Sequence, residues 1–203
     1  MFANGYHPLP PGKIAAIVTY LEMMARPHSR AVLNSEGLSI KPMPTPDLAW
    51  YRALFRAVGQ DWLWFSRLSM GDDTLGAILH HPDVEVFALT QDSKDIGLLE
   101  LDFRTAPDCE LAYFGVTKEA IGSSAARFLM EAAIERAWSR QPVVRRFFVH
   151  TCTLDHPAAV AFYQRSGFKA YARAIEVADD PRLDGSLPRD AAAWFPVMQL
   201  HKD

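Results

Sequence analysis

The chain has 203 residues, 49% hydrophobic and 22% charged, an ordinary balance for a globular protein with a substantial core. A formal net charge of −3 argues against a surface built to follow phosphate backbones, so nucleic acid is not an expected partner. The only two cysteines, Cys109 and Cys152, exclude a disulfide framework or a cysteine-rich metal cluster, and no apolar run reaches membrane-spanning length. The opening MFANGYHPLPPGK lacks the basic start and apolar core of a signal peptide, so a cytoplasmic protein is the expectation.

Residues 14–24 follow a Pro-Pro-Gly punctuation and are rich in Ile, Val and Tyr, which predicts a strand; 25–37 carry Pro27, Asn34 and Gly37 and read as a loop. Alternation over 38–42 predicts a short strand. A helix then opens with Thr45 or Asp47 as cap and the apolar set Leu48, Tyr51, Leu54, Phe55 and Val58. Trp62, Trp64, Phe65 and Leu68 form a dense cluster, and Asp72 or Asp73 caps a second short helix reaching Leu79. Strands are expected over 84–89, 96–103 and 109–116, joined by the short polar turns 91–94 and 104–108 of antiparallel hairpins. The helix from Gly122 to about Arg140 carries a stripe including Leu129, Met130, Ala133, Ile134 and Ala137. A strand over 143–152 and a helix over about 157–166 follow, the latter ending at Gly167, suited to a left-handed position after a helix. Strands over 168–177 and 193–200 close the chain around a polar loop. No repeat, low-complexity tract or linker interrupts this order, which gives one α+β domain over 1–203 with a mixed, mostly antiparallel central sheet flanked by helices.

Two segments carry the chemistry. In ELAYFGVTKEAIGSSAA a strand runs into Gly122, Ser123, Ser124, Ala125 and Ala126, where small side chains open a helix. Helix N-termini present unpaired N–H groups and partial positive charge, so an anion is the natural guest. VHTCTLDHPAAVAFYQRSGF repeats the strand-to-helix arrangement further on.

Together these segments resemble the acetyl-CoA-binding core of the GNAT (GCN5-related) N-acetyltransferase superfamily. Against its phosphate-loop pattern Arg/Gln-x-x-Gly-x-Gly/Ala, residues 121–126 match at Ala126; Ile121 replaces Arg or Gln, Ser124 replaces the first Gly, and Gly122 supplies flexibility earlier. Against Asn-x-x-Ala-x-x-x-Tyr-x-x-x-Gly-Phe, the chain places His156, Ala159, Tyr163, Gly167 and Phe168, with His in place of Asn. The resemblance covers about 38–200, with 14–24 as an extra N-terminal strand.

It implies a V-shaped acetyl-CoA cleft, no metal, and direct acetyl transfer to a primary amine of a small molecule or peptide, with a homodimer left open. Phe114, Gly115 and Val116 are then expected to pair with the pantetheine arm, the Val116 N–H facing the thioester oxygen. Residues Gly122 to Ala126 would hold the pyrophosphate through N–H groups and hydroxyls, with Arg127 or Lys118 adding charge, and His156 would sit with the coenzyme-binding residues. Tyr163 is the expected acid for the departing thiolate; a phenol near pKa 10 and a thiol near about 8.5 make that transfer modestly uphill. Glu110, six residues before Val116, is the expected base; Glu100 is the second choice or an ammonium ligand, and His150 a third candidate. Cys152 reads as an inert packed thiol. Trp62, Trp64 and Phe65 suit either an acceptor wall or core packing. The alternative class is a non-catalytic acyl-CoA-binding sensor of the same fold; a tRNA-dependent aminoacyl transferase is disfavoured by the charge.

Overall fold

The computed structural model describes residues 3–28 and 35–198. Among them, seven strands and four helices follow the order β1 (Lys13–Met23), β2 (Leu38–Pro42), α1 (Leu48–Gly59), α2 (Asp72–Leu79), β3 (Val84–Gln91), β4 (Lys94–Asp102), β5 (Asp108–Val116), α3 (Ala125–Ser139), β6 (Arg146–Cys152), α4 (Ala159–Arg165) and β7 (Lys169–Asp179). Short 3-10 turns lie at Gln60–Trp62 and Lys118–Ala120. This is the expected α+β architecture.

Local chemistry sets most boundaries. The Asp47 carboxylate accepts from the Trp50 N–H at 2.8 Å and starts α1, which resolves the choice of cap in its favour. At α2 the cap is Gly71, and Asp72 and Asp73 instead occupy the first turn, where the helix dipole favours negative charge. Strands β3 and β4 meet at a tight turn in which Asp92 and Ser93 both have positive φ, 49° and 68°, the twist that two-residue hairpins require. The stripe of α3 buries Leu129, Met130, Ala133, Ile134 and Ala137 against the sheet, each large aliphatic contributing roughly 1.5–3 kcal/mol.

All strands form one sheet, β2-β3-β4-β5-β6-β1-β7. Every neighbouring pair is antiparallel except β5–β6, which pairs in parallel over only three steps, Asp108↔Arg146, Cys109↔Phe147 and Glu110↔Phe148. Two cores lie on opposite faces. Leu99, Leu101, Leu111, Phe147 and Val149 pack under α3 and α4, whereas Leu98 and Val86 pack under α1 and α2 with Tyr51 and Phe55.

The strand expected over 14–24 forms as β1, bonded on both edges between β6 and β7, and buries Ile14, Ala16 and Val18 on one face and Leu21 and Met23 on the other. Two expectations change. The closing strand over 193–200 does not form through 198, and 199–200 lie outside the described residues. Segment 180–198 instead wraps around Arg182, whose Nη1 takes the carbonyls of Ala191 and Phe195, groups a strand ladder would use, and Pro196 has no N–H to offer. The strand expected from 143 begins at Arg146, leaving Val143 exposed beyond Pro142. The wrapped segment builds a third core, in which Leu187, Ala191 and Ala192 meet Ile14, Leu63 and Leu154.

Candidate active site

The site begins where the sheet separates. Beyond Glu110–Phe148 the parallel ladder stops, so among the described residues no strand pairs with the β6-facing edge of β5 from Leu111 to Val116. A bulge between Leu111 and Tyr113, where two residues of β5 oppose one step of β4, bends the strand at that point. The Thr117 N–H donates to Ile96 O on β4 at 2.8 Å. Alternation along the strand therefore turns the Val116 N–H the other way, toward the gap. The gap opens into a cleft of about 530 Å³ that reaches both faces of the sheet. On the α3 and α4 side it is lined by Phe114, Val116, Ala126, Ala159, Phe162 and Tyr163, and on the other by Tyr113, Gly115 and the aromatic loop after α1. Gly115 is required where the two sides meet: a Cβ there would lie 2.5 Å from Val58 Cγ1 and 3.3 Å from Trp64.

The small-residue loop lines one end of the cleft. Gly122 has φ +85°, and a Cβ built on it meets nothing within 4 Å, so the space before α3 is open. One expected phosphate donor, the Ser123 hydroxyl, is engaged locally. The Ser123 hydroxyl donates to Ala120 O at 2.7 Å and accepts from the Ala125 N–H at 3.1 Å, so it caps the helix entrance itself. Ser124 occupies the cap position of α3, and the Phe128 N–H takes its carbonyl at 2.9 Å. Ile121 is 39% exposed at the cleft edge, apolar where the family pattern carries Arg or Gln. Arg127 lines the cleft, whereas Lys118 is turned to Asp61 at 3.3 Å on the surface.

Tyr163 is buried in α4, edge-on to Phe114 and Phe168. Burial, and then the nearby Asp155 carboxylate, push its phenol well above the usual 10, so it stays protonated. His156 precedes α4 with Nδ1 accepting from the Ala158 N–H at 3.1 Å, the turn-closing bond that an Asn carbonyl makes, which explains how His fills an Asn position. That bond leaves the ring proton on Nε2, and the ring contacts Trp62 at 5.0 Å between centroids.

Asp155, which the sequence reading passed over, joins the two walls. Its Oδ2 accepts from the Thr151 hydroxyl at 2.6 Å and the Cys152 N–H at 2.9 Å, and its Oδ1 accepts from Trp64 Nε1 at 3.0 Å. The available signal was an Asp four residues after a strand Thr, the spacing of a side-chain-closed turn. Burial first, then Asp155, push the Cys152 thiol up to about 11, which keeps it protonated and a poor nucleophile.

The base candidates separate clearly. Glu110 stands at the last paired step of β5 and β6, with Oε1 3.3 Å from His150 Nδ1; of the two, His150 lines the cleft. The hydrogen bond that His150 Nδ1–H donates to Glu110 raises the His150 pKa above the ordinary 6.5, against the opposing effect of burial. Glu100, the second-choice base, is removed from the reaction by its surroundings. It is fully buried, its Oε1 is 2.5 Å from Arg67 Nη2, and Oε2 accepts from the Tyr51 hydroxyl. Arg67 also lies over the Tyr113 ring at 5.0 Å, and the Tyr113 hydroxyl bonds Ser66, so this cluster fixes the aromatic loop to β5. Trp62, Trp64 and Phe65 all line the cleft, while Trp64 and Phe65 also pack into cores.

The family model for the acetyltransferase (GNAT) family matches residues 49–168, more than half of the chain. No protein of curated function matches it. Among solved structures, it is similar to a tandem GNAT protein from the clavulanic acid biosynthesis pathway, at TM-score 0.59 and 16% identity over 81% of this chain and 54% of that one. It is also similar to a GCN5-related N-acetyltransferase from Sphaerobacter thermophilus, at 0.57 and 17% over 81% and 52%. An aminoglycoside acetyltransferase from an uncultured soil metagenomic sample matches at 0.53 and 18% over 66% and 90%. At these identities the likeness is one of fold, and the chain spans about half the length of the first two. The split between β5 and β6, the loop into α3 and the family match converge: the chain belongs to the GNAT acetyltransferase family.

Proposed function

We propose that the protein is an acetyl-CoA-dependent N-acetyltransferase that moves acetyl directly from the thioester to a primary amine. The observation that carries this reading is the gap in the sheet: an unpaired β5 edge, Leu111 to Val116, running to a small-residue turn at the start of α3. An amide-bearing arm fits beside that edge as a missing strand would, and the open space before Gly122 admits a bulky anionic end. Acetyl-CoA supplies an activated acyl group there. The Val116 N–H, directed into the gap, is the donor for the thioester oxygen. His150 takes the proton of the incoming ammonium through Nε2, because Glu110 holds Nδ1–H. Glu110 therefore acts through His150 rather than on the acceptor. Tyr163, kept neutral by burial, gives its proton to the departing sulfur, a transfer its raised pKa makes more uphill than between a free phenol and a thiol.

A panel of primary amines assayed for free-thiol release and N-acetyl product tests this directly. The expected result is amine-dependent thiol release that saturates in both substrates. Acetyl-CoA binding with no turnover for any amine would favour the acyl-CoA-binding module instead.

A further inference from the structure

The face of the cleft opposite α3 is built for an apolar guest. We infer that the preferred acceptor is a primary monoamine on an aromatic or branched-alkyl body, rather than a polyamine or an amino sugar. The inference rests on the acetyl-transfer reading above and adds the class of acceptor.

The third core supplies the wall at this end. Ile14 and Ala16 of β1, Ala178 of β7, Leu63 and Leu154 line the cleft together, facing Trp62, Trp64 and Phe65. These residues come from four distant stretches of chain, and the wrapped C-terminal segment holds them in place. Arg182 anchors that segment through its pair with Asp180, at 2.7–2.9 Å, and Trp194 Nε1 donates to Asp61 O at 3.0 Å beside the aromatic loop.

Charge on this side is sparse. Two carboxylates line the cleft, Asp155 and Glu176. Asp155 already accepts from Thr151, Cys152 and Trp64. Glu176 lies on β7 opposite Ala16 and is exposed, so it is placed to meet one ammonium while His150 removes its proton. A second ammonium or a ring of hydroxyls would face Ile14, Leu63 and Leu154 and lose its water without replacement partners. An aromatic or branched body instead covers those side chains and packs against the Trp62 and Trp64 rings.

Steady-state kinetics with acetyl-CoA and three probes, 2-phenylethylamine, spermidine and kanamycin, decide the matter. The expected kcat/KM for 2-phenylethylamine exceeds either of the others by at least about tenfold, the scale on which apolar pockets discriminate. Trp62→Ala should raise KM for 2-phenylethylamine about tenfold while keeping the thermal shift with acetyl-CoA. Glu176→Gln, at an exposed position that spares the fold, should raise the same KM severalfold. Faster turnover of spermidine or kanamycin overturns the inference, as does turnover of none of the three while acetyl-CoA still binds. Loss of the acetyl-CoA thermal shift in the unmodified protein instead overturns the coenzyme reading beneath it.

Discussion

The two faces of the cleft are made from different materials. Toward α3 and α4 the working parts are a strand edge, a turn of small residues and one buried phenol, and most come from two continuous stretches, 110–126 and 156–168. Toward the aromatic loop the wall is side chains from β1, the 62–66 stretch, β6 and β7, backed by the C-terminal segment and held by the buried pairs Arg67–Glu100 and Arg182–Asp180. Backbone and small residues make one face sensitive to added atoms. Distant side chains make the other sensitive to loss of an anchor.

Substitutions should sort along this line. The largest expected effect is chemical: Tyr163→Phe lowers kcat about 10²–10⁴-fold with acetyl-CoA affinity nearly unchanged, because the ring still packs against Phe114 and Phe168. Wild-type rates under chemistry-limited conditions would remove Tyr163 as the acid. On the face toward the aromatic loop, Arg182→Met leaves the Asp180 carboxylate, 3% exposed, without its side-chain partner and should cost about 3–5 kcal/mol in urea denaturation. A loss under about 1 kcal/mol would mean that the wrapped segment does not depend on this pair. Gly115→Ala forces a Cβ against Val58 and should cost about 1–3 kcal/mol, with the acceptor KM raised as the gap narrows. Unchanged stability and kinetics there would show that the two faces are not in contact at Gly115.

The smallest effect is a titration. The raised His150 pKa means that its pairing with Glu110 stabilises the fold below the ordinary histidine value of about 6.5 and fades as pH rises through the folded value. Glu110→Gln should therefore lower the His150 pKa in an NMR titration and move the acid limb of the rate profile down with it. A Glu110→Gln defect that is constant across pH, with an unmoved His150, would give Glu110 a structural role alone.

Much of the face toward α3 and α4 was legible in the sequence because its signals are local. Spacing within one strand–turn–helix brings Val116 to Gly122 and Tyr163 to His156, and local hydrogen bonds such as Ala158 N–H to His156 follow from adjacency. The engagement of Ser123 with Ala120 and Ala125 was less visible, since a small polar residue before a helix serves a ligand or its own backbone equally well. The face toward the aromatic loop was nearly silent. Nothing local places β1 between β6 and β7, since the strand pattern of 14–24 fits an edge or a central slot. The C-terminal run 193–200 has strand-like composition, but Arg182, several residues earlier, claims its carbonyls. Glu100 read as a cleft carboxylate by its position in a strand; its burial depends on Arg67 and Tyr51 arriving from outside the hairpin.

The central claim is that the gap between β5 and β6 takes acetyl-CoA. Calorimetric titration of acetyl-CoA into the folded protein tests it most directly. The predicted result is saturable binding at one site, with a stabilisation of roughly 2.7 kcal/mol at a hundred times the dissociation constant. The heat should disappear in Ser124→Leu, whose side chain would fill the space at the start of α3. No heat at millimolar acetyl-CoA, or full binding retained in Ser124→Leu, would contradict the assignment of that gap and its loop as the coenzyme site.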